Sequence, residues 1–434
     1  MKYFSTRDKN NITDFRTAVM SGLAKDGGLF MPLSIPLLPS SVISGTEKYS
    51  LQDIGFEVAK NFIGKEIPEQ EIHSIIESAI NFDAPLVQLS EQLSVLELFH
   101  GPTLAFKDFG ARFMAKIMGY FVKGAGKKLN ILVATSGDTG SAVAYGFYGI
   151  EGIDVYILYP KGKVSLIQEK QLTTLDKNIT ALEIDGTFDD CQRLVKNAFV
   201  DEELNSILNL SSANSINIAR LIPQSFYYIN AWRQIKDKSI PTIISVPSGN
   251  LGNLTAGLFA KKMGIPIDKF IGATNKNDVF TEYLNTSKFN PRKSVLTLSN
   301  AMDVGNPSNL ERIIELYEGD IEKIRADVVS ESYTDDSTIE GIKEVYEKYN
   351  YVIDPHGAVG YQALKHFVES NNLKDINAVM VETAHPAKFK DVVEEAIKNE
   401  VEIPERLAAC INKEKKSVRL NSDYNSLKDF LMSV

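Results

Sequence analysis

One lysine of this 434-residue chain stands where an apolar segment runs into a predicted helix. Lys107 follows a turn formed by Gly101 and Pro102, and Gly-Pro pairs mark turns. Because Phe106 and Phe109 flank Lys107 and apolar surroundings disfavour an ammonium, we expect its pKa to fall and its amine to become a nucleophile. The alternative is a lysine whose charged end reaches water, which is the commoner case.

Two loops have the composition of anion-binding sites, and each follows a predicted strand. The hydroxyl and N–H groups of 135–140 (TSGDTG) open a predicted helix and suit a carboxylate or a phosphate, although they equally suit a simple helix cap. The two glycines of 248–253 (SGNLGN) allow several N–H groups to converge on one phosphate, without the lysine of a P-loop. The second loop therefore predicts a phosphate held without magnesium.

Two further residues could complete such a site. Thr383 ends another predicted strand, so its hydroxyl either reaches the same crevice or caps the following helix. Arg220 opens a predicted helix that continues to Trp232, and a guanidinium binds phosphate through two donors, although most arginines lie at the surface. A nucleophilic lysine with a phosphate cradle and no metal indicates pyridoxal phosphate, and a second anion site indicates a phosphorylated amino-acid substrate.

The elements that must position these residues alternate between strand and helix from residue 129 onward. Apolar runs predict buried strands at 129–135, 155–159, 179–184, 242–248, 269–274 and 377–383. Because helical segments separate them, the sequence predicts an α/β fold with mostly parallel open sheets. Apolar residues recur every four positions from Phe109 to Phe121, which predicts one buried helix face. Residues 1–90 have helical spacing.

The composition is that of an ordinary globular protein, with 44% hydrophobic and 24% charged residues. A formal net charge of −9 without a basic stripe argues against nucleic acid as a partner. We find no secretory signal and no run of about 20 apolar residues, so we expect a cytoplasmic protein without a membrane span. Cys191 and Cys410 lack metal-like or redox-like spacing and the five histidines lack zinc spacing, so we expect reduced, buried thiols and no metal.

The chain resembles the threonine synthases in an ordered set of motifs: HGPTLAFKDF, ATSGDTGSA, NSINIARLIPQSFYY, VPSGNLGN, DPHGAVGY and ETAHPAKF. Those enzymes use pyridoxal 5′-phosphate and have the tryptophan-synthase-β type of fold, fold type II. The resemblance implies an N-terminal helical region at 1–90 and two interlaced domains: a large cofactor-binding domain at 91–107 and 216–434, and a smaller, mobile α/β domain at 108–215. Asp8 and Gly357 stand where the family often has Gly and Thr, which leaves the role of those edges open.

The same resemblance implies roles for individual residues. Lys107 is the catalytic lysine that forms the Schiff base with the cofactor, and Thr383 faces the pyridine nitrogen. The cofactor phosphate is cradled by Gly249, Asn250, Leu251, Gly252 and Asn253. The substrate carboxylate or the cofactor rim is held by Thr135, Ser136, Asp138 and Thr139, and the substrate phosphate by Ser215, Asn217 and Arg220.

The implied reaction converts O-phospho-L-homoserine and water to L-threonine and phosphate by β,γ-elimination and hydration, the last step of threonine biosynthesis. A threonine-synthase-like phospholyase or a serine/threonine dehydratase, each releasing a 2-oxo acid and ammonia, is an alternative, as are a non-catalytic binding module and a nucleotide-binding protein. His100 either orients the substrate phosphate or braces the turn at Gly101 through a backbone hydrogen bond. We expect a monomer or a homodimer.

Overall fold

In the computed structural model, which describes residues 1–124, 126–135 and 137–433, the N-terminal region mixes strands with helices. Strands β1 (Lys2–Ser5), β2 (Asp8–Asp14) and β3 (Phe30–Pro32) form a small antiparallel sheet with β1 at its centre. The helices are α1 (Phe15–Ser21), α2 (Ser40–Ser44), α3 (Leu51–Ile63) and α4 (Glu69–Ala79). The predicted helical region thus also holds a sheet, which the sequence conceals because β2 is polar except for the exposed Ile12 and forms only by pairing with β1.

The chain next enters a larger sheet and leaves it through a long helix. Strands β4 (Leu86–Gln88) and β5 (Leu93–Glu97) pair antiparallel, and helix α5 (Lys107–Val122) follows. Helix α5 begins at Lys107 as predicted, and the apolar residues every four positions from Phe109 to Phe121 are buried. Gly110 permits close packing on α5, since a Cβ there would lie 2.8 Å from the carbonyl oxygen of Arg220.

Residues 129–212 then alternate between strand and helix around a smaller sheet. The elements are β6 (Leu129–Ala134), α6 (Asp138–Phe147), β7 (Ile153–Pro160), α7 (Leu166–Thr173), β8 (Ile179–Asp185), α8 (Phe188–Val200), α9 (Glu202–Ile207) and β9 (Asn209–Ser212). Strand β6 is buried along its whole length, and β7 and β8 along most of theirs, as expected for strands covered on both faces. The three strands predicted in this part of the chain are therefore confirmed.

The remaining chain completes the larger sheet and its helices. The elements are α10 (Ile218–Leu221), α11 (Gln224–Gln234), β10 (Thr242–Pro247), α12 (Gly252–Lys262), β11 (Lys269–Thr274), α13 (Val279–Thr286), α14 (Leu310–Leu316), α15 (Ile321–Asp327), β12 (Val328–Ser332), α16 (Asp335–Tyr349), α17 (Pro355–Ser370), β13 (Asn377–Glu382), α18 (Lys390–Ile397), α19 (Glu405–Ile411), β14 (Val418–Asn421) and α20 (Tyr424–Ser433). Short 3₁₀ turns occur at Thr46–Lys48, Gly64–Glu66, Asn300–Met302 and Pro386–Phe389. The one long helix predicted around Arg220 is divided into α10 and α11, with Pro223 between them.

The larger sheet has the strand order β12-β11-β10-β13-β5-β4, and the smaller sheet has the order β14-β8-β7-β6-β9. Apart from β4, all of these strands pair in parallel, which confirms the predicted fold class. Strand β14 pairs with β8 in the smaller sheet, although we predicted the whole of 216–434 in the large domain. The C-terminal segment therefore returns to the smaller sheet, and the other domain boundaries stay predictions.

Strands β5, β13 and β10 lie side by side in the larger sheet. Met380 of β13 is opposite Val95 on one side and Ser245 on the other. Because these strands are parallel, their carboxyl ends meet at one edge, where ligands of open α/β sheets bind. The segments 98–106, 248–251 and 383–385 all follow that edge.

Two of the expectations concern the chain as a whole. Cys191 and Cys410 are free and buried, as predicted. Within the described residues, no helix combines the length and the apolar character needed to cross a bilayer.

Candidate active site

Lys107 is positioned by a short pairing between two loops at the carboxyl edge of the larger sheet. The N–H of Phe106 donates to the carbonyl of Thr383 at 2.9 Å, and the N–H of His385 donates to the carbonyl of Leu104 at 3.0 Å. Between them Leu104 adopts a left-handed conformation, with φ of 58°, which a branched residue accepts only when its surroundings require it. This pairing brings Lys107 and Thr383 together from segments almost 280 positions apart.

The Lys107 side chain is 14% exposed and carries its amine into a region with several charged groups. Its Nζ lies 3.7 Å from Oδ2 of Asp138 and 5.4 Å from the centre of the Phe106 ring. Burial lowers the pKa of Lys107; the Asp138 carboxylate opposes this, while Lys388 and Arg220 lower the pKa further. The predicted fall is therefore confirmed, and the amine is the stronger nucleophile for it.

The turn before Lys107 is braced by Asp108, the second residue of α5. Its carboxylate accepts the N–H and the hydroxyl of Thr103, both at 2.8 Å. A Cβ on Gly101 would lie 2.4 Å from Oδ2 of Asp108, so only glycine fits the turn. Burial raises the pKa of Asp108 to about 6, against the two hydrogen bonds from Thr103. The His100 ring lies 2.7 Å from Oε2 of Glu97, and among the described residues it makes no hydrogen bond to the turn, so its role stays a prediction.

In the first predicted anion loop, the described polar groups bond largely to one another. The Thr135 hydroxyl accepts the N–H groups of Gly137 and Gly140 at 3.0 and 2.8 Å, so it shapes the loop from inside. Thr139 is half-buried in the first turn of α6. Ser136 lies outside the described residues, so its role stays a prediction. Of the hydroxyls described here, the half-buried Thr139 is the one not committed to the turn.

The Asp138 carboxylate is paired with Lys388 and lies close to Lys107. Its Oδ1 lies 2.6 Å from Nζ of Lys388 and accepts Nε2 of Gln168 at 3.0 Å, while Oδ2 faces Lys107. Burial would raise the pKa of Asp138, but Lys388 and Lys107 hold it well below its usual range. A carboxylate that repels anions and is already paired is poorly suited to bind a substrate carboxylate directly, so that predicted role stays a prediction which the geometry does not favour.

The second predicted loop forms an open cradle between β10 and α12. Leu251 has a left-handed backbone, with φ of 61°, and Gly252 begins α12 without a side-chain cap. Among the described residues, no acceptor pairs with the N–H groups of 249–253. A Cβ on Gly249 would lie 2.7 Å from Cα of Met302, so the loop is closely packed on its far side. Free N–H groups at a helix start provide an anion site.

Asn253 and Asn250 fix this cradle from two directions. Oδ1 of Asn253 accepts the hydroxyls of Tyr227 and Tyr228 at 2.5 and 2.8 Å, and its buried Nδ2 has no partner in the described part of the chain. Nδ2 of Asn250 donates to the Ser215 hydroxyl at 2.6 Å. Ser215, which we predicted at the substrate phosphate, is therefore attached to the predicted cofactor-phosphate loop.

The other two residues predicted to bind the substrate phosphate differ in their surroundings. Arg220 is buried, donates from Nη1 to the carbonyl of Ala213 at 2.7 Å, and has no partner for Nε among the described residues. Burial lowers its pKa to about 10. Asn217 is committed elsewhere, because Nδ2 donates to the carbonyls of Val19 and Ser212 and Oδ1 caps α10. Arg220 is therefore near enough to Lys107 to lower its pKa, whereas the amide of Asn217 is used to hold the fold.

Sequence reasoning missed two buried groups of this site. Lys388 lies in the ETAHPAKF motif, from which we singled out only Thr383. Glu382 is fully buried, and its Oε1 accepts the N–H of Asp354 at 2.6 Å. Burial and the neighbouring Asp354 raise the pKa of Glu382 well above its usual range. A Cβ at Gly357 would lie 1.7 Å from Oε2 of Glu382, which explains why this chain has glycine there.

Comparison with known proteins agrees with this fold and this site. Residues 82–384 match the family of pyridoxal-phosphate-dependent enzymes, so the chain belongs to that class. Two further family models, for the threonine synthase N terminus and the threonine synthase C-terminal part, match residues 2–80 and 357–431. Within the class, the chain belongs to the threonine synthase family.

Individual relatives extend over the whole chain. The threonine synthase of Buchnera aphidicola subsp. Schizaphis graminum is 44% identical, with 100% of each chain covered. The crystal structure of threonine synthase from Escherichia coli is 41% identical, with a TM-score of 0.92 and 100% coverage of both chains. The structure of PLP-bound threonine synthase from Brucella melitensis is 34% identical, with a TM-score of 0.93 and coverage of 100% of this chain and 99% of that one.

Proposed function

We propose that this chain converts O-phospho-L-homoserine and water to L-threonine and phosphate with pyridoxal 5′-phosphate as its cofactor. The observation that carries the proposal is that three features meet at one edge of the larger sheet. They are Lys107 with its lowered pKa, the open N–H groups of the loop 249–253 and the hydroxyl of Thr383. Family membership over the whole chain supports the same reaction.

The residues present suit this cofactor. Lys107 offers an amine of lowered pKa, and the loop 249–253 offers free N–H groups for a phosphate. The buried, unpartnered Nδ2 of Asn253 is a further donor beside that cradle. Thr383 directly follows β13 next to Lys107, and His385 rather than Thr383 caps the following turn. Within the described residues the Thr383 hydroxyl has no partner, so it is available for the ring nitrogen. When bound, pyridoxal phosphate supplies the electron sink that makes the substrate Cα–H acidic.

Individual residues of the chain have separate roles in the proposed reaction. Because burial lowers the pKa of Lys107 and the neighbouring Lys388 and Arg220 lower it further, its amine is suited to accept the proton from the substrate Cα. Arg220 is buried and its Nε has no partner in the described part of the chain, so it offers a fixed positive charge for the phosphate at Cγ. The Thr383 hydroxyl, unlike a carboxylate, does not require a charged partner, so we propose that it leaves the electron sink mild enough for elimination towards Cβ.

A product analysis tests this function directly. The purified protein, loaded with pyridoxal phosphate and given O-phospho-L-homoserine, is expected to release threonine and phosphate in equal amounts. Release of 2-oxobutyrate and ammonia would instead identify a phospholyase or a dehydratase, which the full-length relatives do not favour. Equal turnover of O-phosphoserine or serine would also count against the proposed substrate.

The attachment point is tested separately. Borohydride reduction of the holoenzyme followed by mass spectrometry should find the cofactor on the peptide that contains Lys107. Lys107→Ala should lose both the label and the visible absorption band. Lys116→Ala is the matched control, since Lys116 lies on the same helix and is half-buried away from the cradle. A label on another lysine would overturn the assignment.

Two finer points complete the proposal. Free, buried Cys191 and Cys410 are compatible with a reducing compartment, and we propose that the protein acts in the cytoplasm. We also propose that it acts as a monomer or a homodimer. Sedimentation of the purified protein would distinguish these two states and would exclude both if a larger assembly were found.

A further inference from the structure

A second buried lysine connects the two sheets beside Lys107. Lys388 follows β13 of the larger sheet, and its side chain is fully buried. Its Nζ binds Oδ1 of Asp138, at the start of α6 on the smaller sheet, at 2.6 Å. The same Nζ donates to the carbonyl of Thr103 at 2.9 Å, in the loop that leads to Lys107. One ammonium thus joins three segments that are far apart in the chain.

Helix α7, which connects β7 and β8 of the smaller sheet, contributes two more donors to the same acceptors. Gln168 donates to Oδ1 of Asp138 at 3.0 Å, and Gln171 donates to the carbonyl of Thr103 at 3.1 Å. Each acceptor is therefore shared between Lys388 and the smaller sheet. All of these side chains are buried, so water does not compete for the bonds and the network is strong in its low-dielectric surroundings.

The distances also divide the Asp138 charge unequally between two lysines. Lys388 is in contact at 2.6 Å, whereas Lys107 is 3.7 Å away. The charged groups that act on Lys107 are Asp138 from α6, Lys388 from the segment after β13, Arg220 from α10 and Asp354 from the start of α17. Without Lys388, Asp138 would have Lys107 as its nearest cation, and pairing would favour the protonated form of Lys107.

We propose that Lys388 is a positioning residue that clasps the N-terminus of α6 to the Lys107 loop and occupies Asp138, so that Lys107 remains available as a free amine. The inference rests on Lys107 being the reactive amine of the proposed function. It adds a role for a residue that does not touch the reacting atoms. Asp138 then serves as the shared anion of two lysines and not as a substrate ligand.

The first test measures the amine of Lys107 in the protein without cofactor, so it does not depend on threonine formation. Reductive methylation at a series of pH values, quantified by mass spectrometry on the Lys107 peptide, gives the pH midpoint of this one amine. We expect Lys388→Met to raise that midpoint by on the order of one pH unit, because Asp138 then pairs with Lys107. In the double variant Lys388→Met with Asp138→Asn, the rise should disappear.

The second test measures how firmly Lys388 holds the N-terminus of α6 to the Lys107 loop. Trypsin cleavage after Lys161 and Lys163, which are exposed just before α7, reports local opening of the smaller sheet. Lys388→Met should raise the cleavage rate several-fold, with and without cofactor. Lys390→Met is the matched control, since Lys390 lies two residues away and its half-buried side chain pairs with Glu394 of its own helix. Both readouts should stay at the wild-type value.

A folding defect would not hide the answer. Should Lys388→Met fail to give a native circular dichroism spectrum, Lys388→Gln retains a donor without the charge and should show the same rise in midpoint. The proposal is overturned if a folded variant keeps the wild-type midpoint, or if the rise persists when Asp138 is also replaced. A raised Lys107 midpoint with undiminished threonine formation would instead count against the proposed function of Lys107 and not against the pairing.

Discussion

Two glycines of the cradle make a matched pair for testing why the loop has its sequence. A Cβ on Gly249 would lie 2.7 Å from Cα of Met302 and 3.1 Å from the carbonyl oxygen of Ala301, so backbone would have to move. A Cβ on Gly252 would find Nδ2 of Asn309 at 3.5 Å, which is ordinary contact. Neither glycine has a positive φ, so the difference between them is one of space.

The expected effects follow from these distances. Crowding in a packed region costs about 1–3 kcal/mol, and loss of glycine's freedom in the unfolded chain offsets about 0.4–1 kcal/mol. We therefore expect Gly249→Ala to lower the free energy of unfolding of the cofactor-free protein by about 1–2 kcal/mol. Gly252→Ala should leave that stability unchanged or slightly raised. If the open side of Gly252 faces the cofactor phosphate, the same substitution should weaken pyridoxal-phosphate binding by roughly tenfold or more.

The assay is urea unfolding of both cofactor-free variants beside the wild type, followed by cofactor titration monitored by visible absorbance. Unfolding reports whether the added methyl group collides with the protein, and the titration reports whether it collides with the bound cofactor. Equal destabilisation by both substitutions would refute the reasoning about Gly249. Unchanged cofactor affinity in Gly252→Ala would show that the phosphate lies elsewhere.

Three further predictions follow from other buried groups. Because the pKa of Glu382 is raised in the folded state, its protonated form contributes stability that is complete below about pH 4.5 and is lost as pH rises through the raised pKa. Glu382→Gln should remove this loss of stability, which amounts to about 1.4 kcal/mol per pH unit. If the free energies of unfolding of both proteins change in parallel between pH 5 and 8, the prediction is contradicted. Asn217→Ala should lower stability by about 2 kcal/mol through three lost hydrogen bonds with little change in KM, whereas a raised KM at unchanged stability would support the predicted phosphate contact. Thr383→Asp should shift product from threonine towards 2-oxobutyrate, and an unchanged product ratio would argue against a role for the hydroxyl in tuning the cofactor.

The sequence alone was sufficient for the parts of this protein that depend on local pattern. Apolar runs identified six strands, and four-residue spacing identified the helix that begins at Lys107. These succeed because a strand buried on both faces and a helix with one buried face leave a periodic signal in neighbouring residues. The ordered motifs also indicated the family, because loops that bind a cofactor constrain residue types over short spans.

Local pattern failed where a strand is polar or a chain returns late to a sheet. Strand β2 has no apolar alternation and exists because β1 pairs with it, and β14 joins the smaller sheet after more than two hundred residues in other elements. Neither pairing has a signal within its own segment, since the partner strand supplies half of the hydrogen bonds.

The site shows the same division between local and long-range information. The sequence by itself determined that Lys107 stands at a helix start and that 249–253 is a glycine-containing loop between a strand and a helix. Only the tertiary structure decided that Thr383 pairs beside Lys107, that Asn217 is used to hold the fold, and that Lys388 shares Asp138 with Lys107. The reason is physical: the charge state of a buried amine depends on which ions lie within a few ångströms, and folding brings those ions from distant parts of the chain.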